Sequence, residues 1–163
     1  MVFKSMHAEA YRWACSCCRY DEDQAKEVLQ QVYLEILSNK AVFRGESSLR
    51  TWLFSVIRRA ASGHRRRNFY HNLLKNKLSL LAEPEPGSDE TLKAHGKDAV
   101  NREVLTALKR LPLMQRQIVE LVYYRDFSLN DAALILGIKT GTARTHFHRA
   151  KQTLAGLLRH IRN

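Results

Sequence analysis

Between Ala82 and Asp98 the chain carries Pro84, Pro86, Gly87 and Ser88 among the acids Glu83, Glu85, Asp89, Glu90 and Asp98. Prolines remove backbone donors, and the segment has too little apolar surface to offset the entropy of being ordered. It reads as a linker. It divides a chain of 163 residues into two pieces, each large enough only for a small domain. The boundaries fall at 1–78, 79–98 and 99–163.

On either side the pattern is helical. Val28, Leu29, Val32, Tyr33, Ile36 and Leu37 recur at the spacing of one helix face. Asp21, Glu22 and Asp23 precede them, and carboxylates there meet the positive end of the helix dipole. Upstream, Phe3 to Arg19 predicts a helix with Met6, Ala10, Trp13, Ala14 and Cys17 inward. Downstream, Ser47 or Ser48 caps a helix starting near Leu49 and burying Trp52, Leu53, Val56, Ile57 and Ala60. In the second block Leu105, Leu108 and Leu111 mark a helix that stops at Pro112, and Ile118, Val119, Leu121, Val122 and Tyr123 continue the core. Pro112 suits the first turn of the helix that follows. Neither block alternates as strands do. The expected fold is all-α, with two small helical domains and a flexible acidic linker between them.

Lys plus Arg number 27 and Asp plus Glu 16, a formal charge of +11. This excess predicts a polyanionic partner. No run approaches the roughly 20 apolar residues that span a bilayer, so no membrane insertion is expected. His7, Glu9 and Arg12 break up any secretory signal. Cys15, Cys17 and Cys18 sit too close together to staple distant segments, which favours a reducing, cytoplasmic setting. Ordinary packing of these thiols is the expected role, with metal or redox sensing as the alternatives.

From Ser128 the chain offers a capped helix with Asp131 as capping-box partner, a stop at Gly137, and a basic helix from about Thr140 to Arg159. This is a helix-turn-helix plan. Ala132 and Ala133 allow close crossing, and Leu136 and Ile138 flank the turn. The second helix presents Thr142, Arg144, Thr145, His148, Arg149 and Lys151 to the major groove, where arginine can bond guanine twice.

The stretch "LKRLPLMQRQIVELVYYRDFSLNDAALILGIKTGTARTHFHRAKQTL" resembles the promoter-binding domain of the extracytoplasmic-function (ECF) sigma factors. LuxR-type regulators end in a similar motif, so this half alone leaves the matter open. "FRGESSLRTWLFSVIRRAASGHRRR" resembles the family's minus-ten recognition and melting helix. The resemblance assigns DNA contact there to Arg58, Arg59, His64, Arg65, Arg66 and Arg67. Trp52 reads as core rather than as a stacking platform. "DEDQAKEVLQQVYLEIL" resembles the polymerase-docking helix, which implies contacts by Asp23, Glu27, Gln30, Gln31, Tyr33 and Leu34. Lys26 and Gln31 stand where the family usually has acids, which predicts weaker docking unless added charge compensates. Arg59 replaces a common asparagine and Gly63 a common aspartate, and the glycine predicts a kink.

The resemblance implies core RNA polymerase, promoter DNA and an anti-sigma factor as partners. It implies no cofactor, no metal and no small-molecule substrate. No phosphate loop, HExxH or placed nucleophile suggests catalysis. The rival readings are a polymerase-independent regulator and an inhibitor that occupies polymerase without starting transcription.

Overall fold

The computed structural model describes residues 2–78 and 99–159, all of whose regular structure is helical. The linker expected at 79–98 lies outside the described residues. The chain divides into two compact units, Met1–Leu92 and Lys93–Asn163.

In the first unit α1 (Val2–Cys17), α2 (Glu22–Leu37) and α3 (Leu49–Leu78) pack against one another pairwise. Local chemistry sets their ends. Arg19 and Tyr20 take left-handed backbone, φ 57° and 67°, and the Tyr20 N–H donates to the Cys15 carbonyl at 2.7 Å, which closes α1. Asp21 caps α2 by accepting from the Gln24 N–H at 2.9 Å. Of the two candidate serines, Ser48 accepts from the Thr51 N–H at 3.1 Å and begins α3.

The core is made of Ala10, Trp13, Ala14 and Cys17 from α1, Ala25, Val28, Leu29 and Val32 from α2, and Leu53, Phe54, Val56, Ile57 and Ala61 from α3. Trp13 stacks on Phe54 with ring centroids 5.6 Å apart, and its Nε1–H donates to the Phe54 carbonyl at 3.0 Å. The one polar atom of that large ring is therefore satisfied inside the core. Glu9 of α1 grips Arg50 of α3 through both carboxylate oxygens, 3.1 and 3.2 Å from Nε.

Three expectations change here, the first being that Ala60 is half-buried while its neighbour Ala61 takes the core position. Trp52 is only half-buried and leans on Phe43 at 5.5 Å, because its position on α3 faces the loop after α2. Gly63 does not interrupt the helix: α3 runs unbroken from Leu49 to Leu78. A Cβ at Gly63 would meet nothing within 4 Å. Its backbone needs no positive φ either. Gly63→Ala should then stabilise this unit by about 1 kcal/mol, the helix-propensity difference. A thermal melt followed by circular dichroism would show a midpoint several degrees higher.

The second unit holds α4 (Ala99–Lys109), α5 (Leu113–Val119) running into a π-helical turn (Glu120–Tyr124), α6 (Leu129–Leu136) and α7 (Thr140–Leu157). Pro112 stands just before α5, at the cap rather than inside the first turn. Leu108, Leu111, Val119 and Ala150 form a buried cluster, with Val104, Phe147 and Leu154 packed onto it. Tyr123 departs from expectation. It is 59% exposed and lies against Phe147 at 5.5 Å. A π turn holds one more residue than an α turn. The register slips there, so Leu121 stays inside while Tyr123 and Tyr124 turn outward.

Ser128 caps α6 by accepting from the Asp131 N–H at 3.0 Å. Its hydroxyl donates to the Asp131 carboxylate at 2.6 Å, so the acid returns to the hydroxyl and not to the cap's own N–H. Gly137 ends the helix at φ +67°, and the Ile138 N–H reaches back to the Ala133 carbonyl at 3.0 Å. This left-handed stop is why a glycine stands at the turn. Ala132, Ala133, Ala143 and Ala150 are all buried, which lets α6 and neighbouring helices approach α7 closely.

Candidate nucleic-acid interface

The sequence-predicted contacts fall on three helices. On α7, Thr142, Arg144, Thr145, His148, Arg149 and Lys151 are all exposed. At 3.6 residues per turn they do not share one face. Ala143, Phe147, Ala150 and Leu154 point to the core, and Thr145, His148 and Arg149 lie opposite them, beside Gln152. Thr142 and Arg149 turn toward an open hollow of about 540 Å³, lined with Lys139, Gly141, Thr145 and His146. Arg144 and Lys151 occupy the other flank, where Lys151 Nζ sits 4.9 Å above the Phe147 ring.

The hollow opens at the start of α7. Lys139, the N-cap, makes no side-chain cap hydrogen bond, so the cap residue leaves the first-turn N–H groups uncovered. Such an end attracts a phosphate, with Lys139 adding full charge. Lys139 was not singled out from sequence, because the hollow exists only once α6 and the turn are in place.

On α3 the arginines divide by role. Arg59 and Arg66 are exposed on the same side. Arg65 turns inward: Nη1 donates to the Cys17 carbonyl at 3.0 Å and Nη2 to Ser62 Oγ at 3.2 Å. Burial, followed by the neighbouring Arg58, pushes its guanidinium pKa down. Arg65 thus holds the C-terminal end of α1, where a cation suits the dipole. Arg58 is half-buried and donates to Ser62 Oγ. His64 lies 3.5 Å from Glu27, and Arg67 donates to Gln31 at 3.0 Å.

Those two bonds also split the residues expected on α2. Gln30, Tyr33 and Leu34 line an apolar groove of about 490 Å³ between α1 and α2, with His7, Tyr11, Lys26, Leu29 and Leu37. Tyr33 shares a 2.9 Å hydrogen bond with His7, and burial raises its phenol pKa. Glu27 and Gln31 face α3 instead, and Gln31 also donates to Glu35 at 2.8 Å. Asp23 is exposed and pairs with Lys26 at 3.5 Å. A pair this open contributes little to stability.

At the corner held by Arg65, Cys17 and Cys18 are buried and Cys15 is half-buried, all three as free thiols. Cys18 stands just past the end of α1, with its N–H still donating to the Ala14 carbonyl at 2.9 Å. Burial drives the Cys18 thiol pKa up to about 11 and raises that of Cys15. Among the described residues no three His, Cys, Asp or Glu side chains gather as a metal site.

Both units match known family models. Residues 2–69 match Sigma-70 region 2, and residues 101–154 match Sigma-70, region 4. The chain is 30% identical over 160 residues to the ECF RNA polymerase sigma factor SigM of Mycobacterium tuberculosis, covering 98% of this chain and 76% of that one. It is 31% identical over 139 residues to the ECF RNA polymerase sigma factor EcfG of Rhodopseudomonas palustris, covering 83% and 72%. The sigma factor RpoE, solved in complex with the anti-sigma factor NepR from Bartonella quintana, shares the fold. Its TM-score is 0.64 over 96% of this chain and 94% of RpoE, at 24% identity.

Proposed function

This chain belongs to the extracytoplasmic-function sigma factors of the sigma-70 family, and from that membership we propose how its parts divide the work. As a sigma factor it directs core RNA polymerase to specific promoters and takes part in opening them. In our reading domain 1–78 docks on polymerase and captures the minus-ten element, 79–98 is the connector, and 99–163 grips the minus-thirty-five element.

Gln30, Tyr33 and Leu34 supply the docking surface through the α1–α2 groove, with Asp23 at its rim. Glu27 and Gln31 orient α3 from behind it. Arg59, Arg66 and Arg67 meet the DNA strand, while Arg58, His64 and Arg65 keep the helix in place. Thr142, Thr145, His148 and Arg149 read the upstream element, and Arg144 and Lys151 bind phosphates beside it. The observation that carries this reading is the pairing of two exposed cationic helix faces with two separate promoter-binding regions of one family. The role is non-enzymatic. Among the described residues no helix is long and apolar enough to cross a membrane, and we assign its work to the cytoplasm, with polymerase. An anti-sigma factor with an acidic surface would cover α3, whose exposed face is cationic.

The test is transcription in vitro with purified protein, bacterial core polymerase and a library of promoter fragments. Transcripts that depend on the protein are expected. Arg66→Ala should reduce promoter opening and leave polymerase binding intact. Arg65 is a poor choice of variant, since its loss would also free the end of α1. Tight operator binding with no affinity for core polymerase would make the chain a conventional regulator. Core binding without transcripts would make it an inhibitor.

A further inference from the structure

The 30 residues of α3 contain no carboxylate and eight Lys or Arg side chains. The helix continues well past the arginine cluster, and there it exposes Phe69, Tyr70, Leu73 and Leu74. Tyr70 is 58% exposed and Phe69 65%, with their rings edge-on at 6.0 Å. Arg59, Arg66, Tyr70 and Leu73 follow one another at intervals of seven, four and three residues, so they lie on one face of the helix. Isolated exposed apolar residues are unremarkable, but a cluster that continues a cationic stripe marks a contact surface.

Resting on the sigma-factor reading above, we propose that Tyr70, flanked by Phe69, is a stacking platform for an unpaired base of the opened promoter. The strand-binding face of α3 then extends from Arg59 to Leu73, about 21 Å at the rise of an α-helix. Two observations favour a nucleic-acid strand as the occupant. The face is continuous with the exposed Arg59–Arg66 surface, and no acid on α3 would repel phosphates along it. The order Arg66, Arg67, Phe69, Tyr70 also sets rings directly beside cations. Single-strand binders use this combination, because every base offers a π-face and every phosphate a charge. A helical protein partner would instead use Tyr70 together with Leu73 and Leu74 as plain apolar surface.

The experiment uses holoenzyme assembled from the full chain and core polymerase, on a promoter shown to be active with the wild-type protein. Unpaired thymines are probed with permanganate, and 5-bromouracil in the non-template strand is photocrosslinked and mapped. A crosslink to the peptide holding Tyr70 is expected. Tyr70→Ala should lower the open-complex equilibrium about tenfold, within the range of one lost base–aromatic stack. Tyr70→Trp should open like wild type, Tyr70→Leu should resemble the alanine variant, and polymerase affinity should stay constant. Normal opening by Tyr70→Ala would overturn the proposal. So would full rescue by leucine, which would reveal an apolar contact with protein. Absence of any wild-type transcript would bring down the sigma-factor reading itself, an outcome distinct from either.

Discussion

Trp13→Ala should unfold the first unit while leaving the second folded. Trp13 has no solvent exposure, stacks on Phe54 and uses its indole N–H on the Phe54 carbonyl. Truncating a buried Trp to alanine typically costs 3–5 kcal/mol, through lost transfer energy and the cavity left behind. A unit of this size has a total stability of only roughly 4–12 kcal/mol at the usual figure per residue. The loss therefore takes much or all of it. Backbone amide spectra should show the resonances of α1 to α3 collapsing and those of α4 to α7 unmoved. Leu37→Ala serves as the control: at 80% exposed it should shift stability by no more than about 0.5 kcal/mol. Preserved α1–α3 resonances in Trp13→Ala would mean that the Trp13–Phe54 stack is not the centre of this core.

Arg149→Ala should have the largest effect on promoter choice. Arg149 faces solvent at the middle of α7 and borders the hollow with Thr142 and Thr145. A two-bond arginine–base contact is worth about 1–3 kcal/mol, so binding to the preferred upstream element should fall roughly 5- to 150-fold. Binding to mismatched elements should change little, and specificity at one position should relax. Arg144→Ala, on the flank, should weaken all sequences alike and lower the salt slope by about 1. Holoenzyme titrations across a salt series separate the two behaviours. A uniform loss for Arg149→Ala would reassign it to a phosphate.

The helical class and most element ends were legible because their causes are local. Ser48, Asp21 and Ser128 each act within three residues of themselves, and Gly137 needs only its own backbone freedom. What was not legible depends on the partner element. A cationic run reads the same whether its members point out, like Arg66, or in, like Arg65, since only the end of α1 decides the matter. Glu27 and Gln31 sit among docking residues in sequence, yet α3 draws both toward His64 and Arg67. Tyr123 continued an apolar pattern, and one wider turn rotated it outward. Gly63 shows the limit of propensity. Its cost is real, but thirty residues of helix anchored by buried Leu53, Phe54, Ile57 and Ala61 absorb it without a break.

The corner between α1 and α2 has a consequence for chemistry under oxidative load. Burial pushes the Cys18 thiol pKa up to about 11, so little thiolate is present at neutral pH, and only the thiolate reacts with peroxide at speed. Cys18 is therefore slow to oxidise in the folded state. A burst of oxidant would reach the half-buried Cys15 before Cys18, so any redox effect at this corner starts at the end of α1 that is open to solvent.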